Sequence, residues 1–101
     1  MKLSDEKTVE HLIAVYKDDG GIYAKKMFGC YCVYFDMVPV GWVSDGIFWL
    51  KNVGRNDLYI EDYLREKKHL RQIPVFIEQF HLPWFKEIVS KTAMVVKQKQ
   101  K

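Results

Sequence analysis

The sequence predicts an α+β domain: a helix, an antiparallel β-meander, a second helix, an edge strand and a C-terminal helix. Three observations carry that reading. Apolar residues recur at helical spacing in two segments, at Val9, Leu12, Ile13 and Tyr16 and again at Phe85, Ile88, Val89, Thr92, Val95 and Val96. Between these segments, Ile22 to Lys51 breaks into short runs of β-branched and aromatic residues separated by turn residues. A length of 101 residues with 49% hydrophobic content suits one core, and no internal repeat or linker divides it.

Ser4 is placed to cap the first helix, and Asp18-Asp19-Gly20-Gly21 ends it with turn chemistry. Strands are expected near 22–28, 31–35, 38–43 and 47–51, with punctuation at Gly29, Asp36-Met37 and Ser44-Asp45-Gly46. Gly54-Arg55-Asn56-Asp57 is expected to open the second helix, whose apolar stripe would be Tyr59, Ile60, Tyr63 and Leu64. Gln72 to Phe80 reads as a strand, and Pro74 assigns it to an edge. Pro83 suits the first position of the final helix. The tail from Lys97 to Lys101 is expected to fray.

The meander has an unusual pattern. Tyr31, Val33 and Phe35 share one face of their strand, and Cys30, Cys32 and Tyr34 share the other. Ile47 and Trp49 likewise oppose Phe48 and Leu50. An antiparallel sheet with one wet face alternates apolar with polar, so two apolar faces both ask for cover. Helices or a partner must supply it. The expectation is a homodimer whose interface draws on Tyr31, Tyr34, Trp42 and Trp49.

Charge narrows the partner classes. Sixteen Lys and Arg against thirteen Asp and Glu leave a net +3, far below the footprint of a dedicated nucleic-acid binder. Basic residues gather at Lys67, Lys68 and Arg71, and again at Lys97 and Lys99, which makes nucleic acid a weak rival partner. No stretch has the length and apolarity of a membrane span, and Met1 to Glu6 has no apolar signal core, so the expected compartment is the cytoplasm.

Constellations that carry chemistry are sparse. Cys30 and Cys32, one residue apart, lack the spacing of a redox motif and the further ligands of a zinc site. They are expected to be two small buried hydrophobes. His11, His69 and His81 share no ligand spacing, and His11 and His69 read as solvated surface. Gly20-Gly21 lacks the Lys-Ser or Lys-Thr of a phosphate loop, and no serine sits in a nucleophile elbow. The expectation is therefore no catalytic residue, no cofactor, no metal and no small-molecule ligand.

Lys26-Met27-Phe28-Gly29 begins a longer pattern. It is followed by the aromatic run Tyr31-Cys32-Val33-Tyr34-Phe35-Asp36, the turn Ser44-Asp45-Gly46 and the strand end Phe48-Trp49-Leu50-Lys51. In that order these segments resemble the N-terminal domain of the TfoX/Sxy family of bacterial competence regulators, over almost the whole chain. The resemblance implies a curved antiparallel sheet with flanking helices, as in secretion-chaperone-like domains. It also implies transcriptional co-regulation linked to DNA uptake, through contact with protein and without catalysis, the transcription machinery being one candidate partner. Met37 stands where the family carries a glycine, which makes a tight hairpin less comfortable. Phe28 is expected to anchor the core.

Overall fold

A computed structural model describes residues 4–55 and 58–99. Helix α1 spans Asp5–Val15, and the strands β1 Ile22–Met27, β2 Cys30–Phe35, β3 Val38–Ser44 and β4 Ile47–Lys51 follow. A short helix α2, Asp62–Glu66, precedes strand β5, Gln72–Val75, and helix α3, Pro83–Lys99, completes the order. The five strands form one antiparallel sheet in sequence order. The α+β class and its layout are as the sequence predicts.

Local chemistry sets most boundaries. The Ser4 side chain accepts a hydrogen bond from the Lys7 amide at 3.3 Å and so satisfies one of the orphan donors of α1. Three two-residue turns, Phe28-Gly29, Asp36-Met37 and Asp45-Gly46, join the meander. Both central residues of each have positive φ, as type I′ hairpins require. Met37 adopts φ 71° in place of glycine, so the tight hairpin forms despite its side chain.

α1 is fastened to the sheet by polar groups as well as apolar ones. The Gly46 amide donates to Asp5 Oδ1 at 2.7 Å, and Thr8 Oγ1 donates to the Gly46 carbonyl at 3.0 Å. The first turn of α1 therefore sits on the β3–β4 hairpin. α3 lies over β3 on that same side. Between helices and sheet lie Val33, Val43, Phe48, Leu50, Phe85 and Val89, all fully buried. Phe48 meets Phe85 edge-on at 5.9 Å and 74°, a preferred geometry for aromatic pairs. Burying each such ring contributes about 2–3 kcal/mol.

Three expectations need correction. The second helix does not begin near Gly54. It is confined to Asp62–Glu66, while Asn52 holds the preceding segment by accepting from the Gly54 amide and the Tyr59 hydroxyl. Asn56 and Asp57 lie outside the described residues. The strand expected over Gln72 to Phe80 ends at Val75, because Phe76 to Phe80 turns into a single 3₁₀ turn closed by Gln79 on the Phe76 amide. The expected fraying does not begin at Lys97, since α3 continues through Lys99; Gln100 and Lys101 lie outside the described residues.

The central strand depends on one close approach. The register between β2 and β3 shifts at Val33 and Tyr34, where Val40 is the extra residue, and Gly41 then faces Leu50. A Cβ at Gly41 would collide with the Trp49 carbonyl oxygen and come within 2.9 Å of the Phe48 ring. Gly41→Ala should therefore destabilise the domain by about 1–3 kcal/mol or more. Chemical denaturation checks this, and a midpoint equal to that of the wild type would refute the close packing.

Candidate functional site

Both long helices cover the same face of the sheet, so the opposite face is bare. Alternation places Tyr23, Lys25 and Met27 of β1 there, with Cys30, Cys32 and Tyr34 of β2. Trp42 of β3, Trp49 of β4 and Pro74 of β5 continue it. The register aligns Lys25, Cys32, Trp42, Trp49 and Pro74 in one row across all five strands. The inward Val33, Val43, Phe48, Leu50 and Val75 are fully buried, whereas Cys32, Trp42, Trp49 and Pro74 are only half-buried.

This face is ordered by its own contacts. Tyr23 and Tyr34 stack across the β1–β2 pair with centroids 4.8 Å apart and planes within 6°. The Trp49 indole N–H donates to the Ser44 carbonyl at 3.1 Å, which fixes its ring on the sheet. The Tyr34 hydroxyl is pushed above its ordinary pKa, first by its hydrogen bond to the Cys32 side chain and then by the charge a Cys32 thiolate would carry. Tyr34 is therefore neutral at physiological pH. None of the outward positions carries a carboxylate, and the cations Lys25 and Lys51 stand at the margins. An apolar centre with a charged rim is the anatomy of a protein interface.

The sequence expectations divide at this point. Tyr34, Trp42 and Trp49 are brought together on the bare face, but Tyr31 turns inward and packs against the core. Cys30 and Cys32 are not buried, as was expected of them; they are free thiols, half-buried on the uncovered side. The Cys30 thiol donates to the Met27 carbonyl at 3.4 Å. Among the described residues no cluster of His, Cys, Asp or Glu could hold a metal ion, and no helix is long and apolar enough to cross a membrane.

Phe28 overturns its expected role. It anchors no core; it stands fully exposed at the tip of the β1–β2 hairpin with φ 50°. Within the motif, Lys26 pairs with Tyr31 and Met27 with Cys30, while Gly29 takes φ 82°. The motif is thus a hairpin tip that presents an aromatic ring to solvent.

The expected basic patch is dispersed. Lys67 sits over the Tyr63 ring at 5.5 Å, Lys68 is exposed, and Lys97 pairs with Asp36 at 3.5 Å. Only Arg71 and Lys99 converge, and they do so beside Lys51.

Comparison with known proteins yields no relative: no family model, no curated protein and no solved structure matches this chain. The site must be judged on its geometry.

Two features escaped the sequence reading. The place of Lys51 beside Arg71 depends on the register that pairs Lys51 with Gln72, two residues separated in sequence by twenty others, α2 among them. The exposure of Phe28 had a local signal, since Phe-Gly occupies the two positions between Met27 and Cys30 where a tight hairpin turns outward.

A type I′ turn prefers asparagine or glycine where Phe28 stands, because a positive φ strains other side chains. Phe28→Asn should thus leave the melting temperature unchanged or raise it, with a gain of up to about 1 kcal/mol. Scanning calorimetry checks this. A loss of several kcal/mol would mean that the ring is buried after all.

Proposed function

We propose that this chain is a non-catalytic interaction module that binds protein through the bare face of its sheet. The observation that carries the reading is the row Cys32, Trp42, Trp49 and Pro74, apolar across four strands and only half-buried. Aromatic rings held rigid on a sheet lose little entropy on binding, and Trp and Tyr dominate interface energetics.

The first occupant is a second copy of the chain. An apolar centre can be covered by its own copy about a two-fold axis, with Lys25 and Lys51 left solvated at the rim. The wider role is that implied by the resemblance to TfoX/Sxy competence regulators: transcriptional co-regulation in the bacterial cytoplasm. Its support is the succession of Lys26-Met27-Phe28-Gly29, the aromatic β2 and the Ser44-Asp45-Gly46 hairpin along one meander. A reducing compartment suits the two free thiols.

Sedimentation velocity across a dilution series tests the dimer. Wild type should sediment as a dimer at micromolar concentration, and Trp42→Ser combined with Trp49→Ser should sediment as a monomer while unfolding cooperatively. Tyr34→Ser, which removes less apolar area, should weaken the dimer by an intermediate amount. Wild-type monomer at high micromolar concentration would contradict the proposed pairing.

A further inference from the structure

A second feature lies at the end of the sheet, where β4 leaves and β5 begins. A cavity of about 450 Å³ opens there against the last turns of α3. Lys51, Arg71 and Lys99 line it from three different elements, and none of its lining residues is acidic. These three cations make no ion pair among the described residues. The net charge of the whole chain is +3, and one cavity is lined by three cations that have no counter-charge among the described residues. Like charges gathered without a counter-charge repel one another, so this arrangement lowers its energy when an anion enters.

The cavity is also built. Asn52 holds its wall: its amide Nδ2 donates to the carbonyls of Lys68 and Leu70, both at 2.8 Å, and its backbone amide donates to the Arg71 carbonyl at 3.3 Å. These bonds fix the segment that presents Arg71 next to Lys51. Gln72, opposite Lys51 in the register, offers a side-chain amide with no partner among the described residues. The Trp42 indole N–H likewise has none. Trp42 and Val96 supply the apolar wall.

We propose that this cavity binds a small phosphorylated ligand bearing a flat ring, of the class of a mononucleotide. Arg71 and Lys51 would hold the phosphate, Arg71 with its bidentate fork. Lys99 would close the site from α3, and the ring would lie against Trp42. The volume lies within the usual range for small-ligand pockets of roughly 300–1,000 Å³. A nucleic-acid strand fits less well, because strands follow a continuous track of cations and stacking rings. Here Lys97 is paired with Asp36, Lys86 with Asp19 and Lys67 with the Tyr63 ring, so these three cations extend no track from the cavity.

Isothermal titration calorimetry of the full chain with ADP, inorganic phosphate, adenosine and a single-stranded DNA ten-mer tests this. ADP should bind, phosphate should bind more weakly, and adenosine should not bind detectably. Arg71→Ala, at an exposed position outside the core, should weaken ADP binding about ten-fold or more at an unchanged melting temperature. Lys51→Ala should act alike, and Trp42→Phe should retain binding where Trp42→Ser loses it. No heat from ADP at millimolar concentration would overturn the proposal. So would equal ADP affinity in Arg71→Ala, or a ten-mer that binds far more tightly than ADP. Trp42 and Lys51 also belong to the proposed dimer face, so Arg71→Ala, outside that face, separates the two readings: it should weaken ADP binding while the protein still sediments as wild type.

Discussion

A five-stranded sheet has two faces, and this chain has long helices for only one. Every other feature follows from that constraint. α1 and α3 converge on the side of Val33, Val43, Phe48 and Leu50, and the aromatic packing between Phe48 and Phe85 seals that layer. The bonds from Asp5 and Thr8 to Gly46 keep α1 from shifting off it. What remains is an outer surface whose strands are as apolar as those of a buried sheet. Surface of that kind is costly in water unless something covers it, since apolar area gains about 25 cal/mol per Å² on leaving water.

Much of the fold was legible because its signals are local. Helical spacing, the Ser4 cap, Pro83 at the start of α3 and three hairpin turns each act within a few residues. Hairpins of two residues leave one antiparallel register, so the order β1 to β4 was nearly forced. The errors fell where tertiary context decides. Tyr59, Ile60, Tyr63 and Leu64 have helical spacing, yet only the second pair lies in α2, because Asn52 captures the Tyr59 hydroxyl and the Gly54 amide. Gln72 to Phe80 reads as a strand by composition, but β5 is an edge strand, and Tyr63 caps its end by donating to the Pro74 carbonyl.

The candidate surface was legible in part. Alternation alone put Cys30, Cys32 and Tyr34 opposite Val33, and it showed that both faces were apolar. It could not say which face the helices would take. That choice placed Tyr31 in the core and left both cysteines on the outside. The charged end of the sheet was harder still. Arg71 and Lys99 belong to separate clusters in sequence, and Lys51 closes a strand with no sign of either.

The central claim is that the face bearing Cys30 and Cys32 is uncovered in the isolated chain and becomes covered on association. The rate of thiol labelling by a disulfide reagent under native conditions measures this most directly. In dilute solution both thiols should label far faster than the protein unfolds, and labelling should slow as protein concentration rises through the dimerisation range. Labelling at the global unfolding rate at every concentration would contradict the account, because it would mean that the chain itself covers the face.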